Sequence, residues 1–141
     1  MKNIADPKNL LPHTGKMNKI EQILTYAPGE IECLLRPSSE SVPQGVGSEI
    51  CAAVGVEYMA QACGCLGGLS AGKSDEPGEG MLISVRKLES KIAHFLPGEE
   101  LVAGAKSLSG HGNVYQFYSY IRKKSEDTLL MSANISILKT K

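Results

Sequence analysis

The chain has 141 residues, of which 42% are hydrophobic, so its size and composition are those of one globular domain with a substantial core. Its 15 basic residues balance its 15 acidic residues, and this excludes the strongly basic surface typical of a nucleic-acid-binding protein. The sequence opens without an apolar leader, and no uncharged apolar stretch reaches roughly 18 residues. We therefore expect one cytoplasmic domain over residues 1–141, associated with neither nucleic acid nor a membrane.

The cysteines do not have the spacing of a metal site. A structural zinc site needs four Cys or His ligands at regular intervals. Only Cys63 and Cys65 lie close together, and neither a second cysteine pair nor a histidine cluster accompanies them. We expect the four cysteines, Cys33, Cys51, Cys63 and Cys65, to be small core residues with free thiols and to hold no metal.

A β-hairpin is the first predicted element, over residues 18–36. Ile31, Cys33 and Leu35 occupy every second position, which is the pattern of a half-buried strand. The turn residues Ala27-Pro28-Gly29 separate this strand from the segment before it.

A long helix is predicted next, over Ile50–Leu69. Ser48 is expected to cap its N-terminus, and Glu49 favours the first turn because it complements the helix dipole. The run is apolar on every side, which predicts a helix that is buried all round. Glycines are expected to end it: Gly67, Gly68 and Gly72.

The remainder of the chain is predicted to form strands joined by turns. Such an order favours an antiparallel meander. Because a single apolar helix must be covered, the sheet is expected to curl around it, which gives an α+β fold. The predicted strands are Met81–Ile92, Leu101–Leu108, Val114–Arg122 and Leu129–Leu138.

Glu57 is the candidate catalytic residue, since it lies in the middle of the apolar helix. An unpaired, ionised carboxylate at a buried position is strongly unfavourable because it loses its hydration. Glu57 is therefore expected to face a cleft, to be paired or to be protonated. The alternative to a functional role is that Glu57 lies at a solvent-exposed edge of the helix or in a dimer interface. Gln61 lies one turn later on the same face and could bond Glu57 or a ligand.

Four short segments stand in order along most of the chain: Leu11-Pro12-His13, Gln44-Gly45, Gly55–Ala62 and Pro97–Leu101. Together they resemble the motifs of the β-hydroxyacyl-acyl-carrier-protein dehydratases. The helix segment Gly55–Ala62 resembles their E-A-M-A-Q-A motif. With Val85-Arg86, the set is most similar to the dehydratases of aryl-polyene pigment clusters. The other matching segments are Leu11-Pro12-His13 for L-P-H, Gln44-Gly45 for the start of Q-G-H-F-P-G, and Pro97–Leu101 for P-G-D-x-L.

The resemblance implies a hot-dog fold, an antiparallel sheet around a central helix, with the acyl site at a dimer seam. It implies a substrate carried as a thioester on the phosphopantetheine of an acyl carrier protein, and no further cofactor. Glu57 matches the family's catalytic carboxylate. The start of the helix around Gly47–Ile50, which includes Ser48, is expected to polarise the thioester carbonyl through backbone N–H groups. From its place beside Glu57, Gln61 is expected to be a positioning residue that binds the substrate.

One departure from the family concerns the second catalytic group. The family's loop histidine stands in Q-G-H, whereas this chain has Gln44-Gly45-Val46. Either His13 takes that role, or a partner subunit supplies the histidine.

The sequence therefore leaves three hypotheses for the function: a 3-hydroxyacyl thioester dehydratase, an acyl thioesterase of the same fold, or a non-catalytic subunit that completes a histidine-bearing dehydratase. A homodimer or heterodimer is expected, because the predicted sheet leaves an edge strand to cover.

Overall fold

A computed structural model describes residues 19–37, 50–71 and 80–139 of the chain. These residues form eight strands, one α-helix and a short 3₁₀ turn, Ala52–Val54. The strands are β1 Ile20–Ala27, β2 Glu30–Leu35, β3 Ile50–Cys51, β4 Gly80–Ser90, β5 His94–Phe95, β6 Leu101–His111, β7 Val114–Lys123 and β8 Leu129–Lys139, and the helix is α1 Gly55–Ala71.

The strands form a six-stranded antiparallel sheet in the order β1-β2-β6-β7-β8-β4, and β3 pairs separately with β5. The predicted meander is confirmed for β6, β7 and β8 but is wrong for β4, which pairs with β8 at the far edge. The reason lies in the ten residues 91–100 between β4 and β6. They include β5 and a turn at Pro97-Gly98, so they carry the chain away from β4 instead of folding it back in a tight hairpin.

The predicted first hairpin is confirmed. β1 and β2 pair antiparallel on either side of a turn at Pro28-Gly29, where Gly29 has a φ of +85° that other residues rarely adopt. Ile31, Cys33 and Leu35 are all buried, as their alternation predicts.

The central helix begins later than predicted. Ile50 and Cys51 are extended and pair with Phe95 and His94, so the α-helix starts at Gly55 and not at Ile50. Cys51, not Ser48, stands at the N-cap of the helical segment, and its side chain makes no capping hydrogen bond. The pairing partner lies far along the chain, so local sequence could not reveal this strand.

α1 packs against the concave face of the sheet, mainly on β6, β7 and β2. The side chains that face the sheet are buried: Tyr58, Met59, Ala62, Cys63, Cys65 and Leu66. Within the described residues, no helix is both long and apolar enough to cross a membrane.

The prediction that the helix is buried all round is wrong along one stripe. A curled sheet covers a helix from one side, so the opposite side stays open in a single subunit. We call this side the open stripe; it consists of exposed or half-exposed positions spaced three or four residues apart, namely Ala53, Glu57, Ala60, Gly64 and Gly67.

Candidate functional site

Glu57 lies in the first turn of α1, on the open stripe. Its side chain is fixed by Gln61, whose Nε2 donates a hydrogen bond of 3.0 Å to Glu57 Oε1. The two residues are one turn apart, so their side chains meet on the same face of the helix. The carboxylate is thus held on a rigid element while it remains accessible from outside the subunit.

Gln61 is itself held from the sheet side. It is only 6% exposed, and its Oε1 accepts a hydrogen bond of 2.7 Å from the backbone N–H of Lys19. Lys19 directly precedes β1, whose first residue, Ile20, is buried in the core. The position of Gln61 is therefore set by the start of the sheet as well as by the helix.

The two helix residues that follow Glu57 are tightly packed in the core. Tyr58 is fully buried, and its ring is tilted against that of Phe95, with 5.7 Å between the ring centres and 49° between the ring planes, a distance typical of aromatic pairs. Met59 is also fully buried. Packing of this kind restrains the rotation of the helix about its axis and so fixes the direction of the Glu57 side chain.

The structure brings together two of the predicted site residues, Glu57 and Gln61. The other three, His13, Gly47 and Ser48, lie outside the described residues. Because the helical segment begins at Ala52, its first backbone N–H groups are not at Gly47–Ile50, where the sequence placed them. Among the described side chains, no group of three or more His, Cys, Asp or Glu residues could hold a metal ion.

Sequence reasoning missed the contact between Lys19 and Gln61. The donor is the backbone N–H of a residue 42 positions away in the sequence, so no side-chain motif could predict this contact. The only signal was indirect: a polar residue within an apolar helix needs partners, and Gln61 has two polar ends to satisfy.

The buried thiols of Cys33 and Cys63 are not candidate nucleophiles. Cys33, Cys63 and Cys65 are free and fully buried, as predicted, whereas Cys51 is exposed, contrary to the prediction. A hydrogen bond with Cys65, followed by burial, raises the pKa of Cys33 far above its usual range. Burial raises the pKa of Cys63 to about 12. The thiolate is the reactive form, so the protonated thiols of Cys33 and Cys63 serve the core and not catalysis.

A second polar cluster lies on the convex face of the sheet, away from α1. Glu32 accepts a hydrogen bond of 2.5 Å from the Tyr120 hydroxyl and one of 3.0 Å from Arg122 Nη2. Burial by itself would raise the pKa of Glu32, but the hydrogen bonds from Arg122 and Tyr120 outweigh it and hold that pKa below its usual value. The cluster joins β2 to β7 across β6, which makes it a structural ion pair.

Comparison with protein families identifies the kind of protein to which this site belongs. The model of the ApeP-like family, described as ApeP dehydratase, matches residues 5–141, nearly the whole chain. This match confirms the resemblance to dehydratases that the motifs indicated. No curated protein matches the sequence.

Solved structures confirm the hot-dog fold. The dehydratase heterocomplex ApeI:P from Xenorhabdus doucetiae is similar over 99% of this chain and 93% of that chain, with a TM-score of 0.87 and 20% identity. A hypothetical thioesterase from Streptococcus pneumoniae TIGR4, with coenzyme A, is similar over 84% of each chain, with a TM-score of 0.64 and 10% identity. The protein smu.793 from Streptococcus mutans UA159, bound to acetyl CoA, is similar over 94% of this chain and 97% of that chain, with a TM-score of 0.67 and 9% identity.

Proposed function

Because the chain belongs to the ApeP-like family of dehydratases, we propose that it acts on a 3-hydroxyacyl thioester and yields a 2-enoyl thioester and water. The observation that carries this proposal is the placement of Glu57. It is the only carboxylate in the largely apolar helix α1, it lies on the open stripe, and Gln61 holds it in position.

The reaction needs two proton transfers. A base removes a proton from C2, the C3–oxygen bond breaks, a double bond forms between C2 and C3, and an acid protonates the departing hydroxyl to give water. Glu57 is one of the two groups and exchanges its proton with the substrate at one of these positions. The second group is a histidine, either His13 of this chain or one supplied by a partner subunit.

We favour a histidine supplied by a second hot-dog subunit, since this chain has Val46 where the family motif has histidine. The similar solved structure from Xenorhabdus doucetiae is a heterocomplex of dehydratases, which supports this arrangement. Glu57 fits it as well, because a carboxylate on the open stripe is accessible to a group that approaches from outside the subunit.

β4 is the surface that we propose for the partner subunit. It lies at the edge of the sheet, and no other described strand pairs with its outer side. Seven large hydrophobic side chains are exposed in the described part of the chain, and four of them lie on β4. A long edge strand that exposes apolar side chains is a template for pairing with another chain. These four residues are Met81, Leu82, Ile83 and Leu88.

The acyl group is proposed to arrive on the phosphopantetheine arm of an acyl carrier protein, and the proton transfers at Glu57 need no further cofactor. The proposed compartment is the cytoplasm, which fits the three buried cysteines that remain free thiols.

Recognition of the acyl carrier protein is tested with two substrates that have the same acyl group. In one the acyl group is attached to an acyl carrier protein, and in the other it is attached to free pantetheine. A higher kcat/KM with the carrier protein supports its recognition, and equal values contradict it.

Thioester hydrolysis is the second candidate function, because one of the similar structures is a hypothetical thioesterase with coenzyme A. The same carboxylate could activate water for attack on the thioester carbonyl. The two functions differ in their products, since a dehydratase leaves the thioester intact and forms an enoyl group, whereas a thioesterase releases a free thiol.

The test is to incubate a 3-hydroxyacyl thioester with the purified chain, alone and co-purified with a histidine-bearing hot-dog subunit, and to identify the products by mass spectrometry. We expect loss of one water from the acyl group, and only in the complex if the histidine comes from the partner. Release of free thiol without enoyl product would favour the thioesterase. Water loss by the partner alone at the rate of the complex would contradict a catalytic role for this chain.

A further inference from the structure

Three groups are hydrogen-bonded in series at the start of the sheet and the helix. The Lys19 N–H donates to Gln61 Oε1 at 2.7 Å, and Gln61 Nε2 donates to Glu57 Oε1 at 3.0 Å. We propose that the Lys19 backbone locks the Gln61 amide in one orientation, so that Glu57 Oε1 always accepts a hydrogen bond and the proton of catalysis is carried by Glu57 Oε2. This inference rests on the proposed function and makes Gln61 a positioning residue for it.

The lock follows from the difference between the two ends of an amide. The oxygen only accepts hydrogen bonds and the nitrogen only donates them. If the Gln61 amide turned over, its NH₂ group would face the N–H of Lys19 and its oxygen would face the carboxylate of Glu57. Both hydrogen bonds would be lost at a residue that is 6% exposed, where water cannot readily replace them. A backbone N–H cannot change from donor to acceptor, so the orientation is fixed.

The consequence for Glu57 is that its two oxygens are not equivalent. In a protonated carboxyl group the oxygen without the proton is the better hydrogen-bond acceptor, so the bond from Gln61 favours Oε1 as the oxygen without the proton. When the carboxyl group carries a proton, that proton is therefore on Oε2. Rotation of the carboxyl group only exchanges two identical oxygens, so at any moment the oxygen that faces Gln61 is the acceptor and the other oxygen carries the proton.

This arrangement also separates the role of Gln61 from substrate binding. Its oxygen and its nitrogen each make a hydrogen bond within this chain, and with 6% of the residue exposed little of its surface is accessible to a substrate. Its contribution to the reaction therefore passes through Glu57, so its loss should lower kcat while KM changes little.

The catalytic test uses the catalytically competent protein, with its partner subunit if one is needed. Gln61→Glu retains an oxygen for the Lys19 N–H but places a carboxyl group where the donor stood, and Gln61→Met removes the hydrogen bonds with Lys19 and Glu57 at similar volume. We expect kcat to fall about 10- to 100-fold in both, the loss expected from a hydrogen bond to a charged group, with KM within about twofold. Gln116→Met, on an exposed position of β7, is the matched control and should retain wild-type kcat.

A second measurement does not depend on activity. In an NMR exchange experiment, the Lys19 amide should exchange slowly in the wild-type chain and in Gln116→Met, and faster in Gln61→Met. The Gln61 side-chain NH₂ resonances should shift in Glu57→Gln, because their acceptor loses its charge. Equal exchange of the Lys19 amide in Gln61→Met and wild type would overturn the lock, whatever the activity.

The two measurements together distinguish the inference from the proposed function. A protected Lys19 amide with wild-type kcat in Gln61→Glu would overturn the positioning role. A protected Lys19 amide in a protein that removes no water, alone or with its partner, would leave the lock in place and overturn the proposed function. A loss of kcat confined to the two Gln61 variants, with faster Lys19 exchange in Gln61→Met, supports the inference.

Discussion

Gly55, at the start of α1, packs directly against Met131 of β8. A Cβ on Gly55 would lie 2.5 Å from the Met131 Sδ and 3.1 Å from the Ile121 Cδ1. Both neighbours are buried, so they have little room to move away. The absence of a side chain at Gly55 is therefore what allows the helix to approach the sheet closely just before the turn that carries Glu57.

Gly55→Ala should destabilise the protein although alanine is the better helix former. Alanine gains up to about 1 kcal/mol in helix propensity, whereas overpacking a core costs about 1–3 kcal/mol. Gly67→Ala is the matched control, because it lies in the same helix and a Cβ there meets no atom within 4 Å. Urea unfolding should show a lower midpoint for Gly55→Ala and an unchanged or higher one for Gly67→Ala. A stabilised Gly55→Ala would show that the contact with Met131 is not tight.

Gly104 of β6 and Tyr120 of β7 form a similar pair on the convex face of the sheet. The Tyr120 ring occupies the space where a Gly104 side chain would stand, and its hydroxyl reaches Glu32. Gly104→Ala must displace the ring and break that hydrogen bond, so we expect a loss of about 1–3 kcal/mol. In a Tyr120→Ala background the same substitution should cost little. Additive effects in this double-mutant cycle would contradict the proposed displacement.

The stability that Glu32 contributes should depend on pH. Its pKa in the folded protein lies below its ordinary value of 4.5, because the hydrogen bonds from Arg122 and Tyr120 outweigh the effect of burial. The contribution is therefore present above pH 4.5 and is lost as the pH falls through the lowered pKa of the folded state. The paired side chains are 25% and 20% exposed, so we expect only about 1 kcal/mol.

The measurement is the free energy of unfolding of wild type and Glu32→Gln between neutral and strongly acid pH. Wild type should be the more stable at neutral pH, and the difference should shrink in acid. A difference that stays constant, or grows as the pH falls, would contradict the assignment of this ion pair.

Lys87 is the one non-glycine residue with a positive φ in the described part of the chain, at +54°. It lies in a bulge of β4, where Lys87 and Leu88 together stand opposite Ala133 of β8. A β-branched residue fits this conformation worse than lysine does, so Lys87→Val should destabilise by about 1 kcal/mol. Glu89→Val, at a regularly paired position of the same strand, should lie within about 0.5 kcal/mol of wild type. Equal thermal midpoints for the two variants would contradict strain at Lys87.

Elements that depend on local signals could be predicted from the sequence. The hairpin at Pro28-Gly29 has a turn signal between alternating strands, and the later strands have aromatic and β-branched residues. The elements that were mispredicted depend on distant partners. Ile50 is extended because Phe95 pairs with it, and β4 lies beside β8 because the following segment crosses away from it.

In the candidate site, too, the contacts between residues close in sequence could be predicted and the contacts between distant residues could not. Glu57 and Gln61 were identified because polar residues within an apolar helix require an explanation, and their spacing of four residues predicts their contact. The contact with Lys19 could not be predicted, because it depends on how the start of β1 packs beside the helix. The open stripe was also missed, since composition shows that a helix is apolar but not on how many sides it is covered.

The most direct test of the account is the rate of water loss by Glu57→Gln, measured with a 3-hydroxyacyl thioester in the catalytically competent protein or complex. The amide keeps the size of the side chain and can still accept the hydrogen bond from Gln61, so the fold should be retained while proton transfer is lost. Glu126→Gln, in an exposed turn, is the matched control. We predict a fall in kcat of about 10²- to 10⁴-fold for Glu57→Gln and none for the control. Wild-type turnover by a folded Glu57→Gln protein would contradict the account.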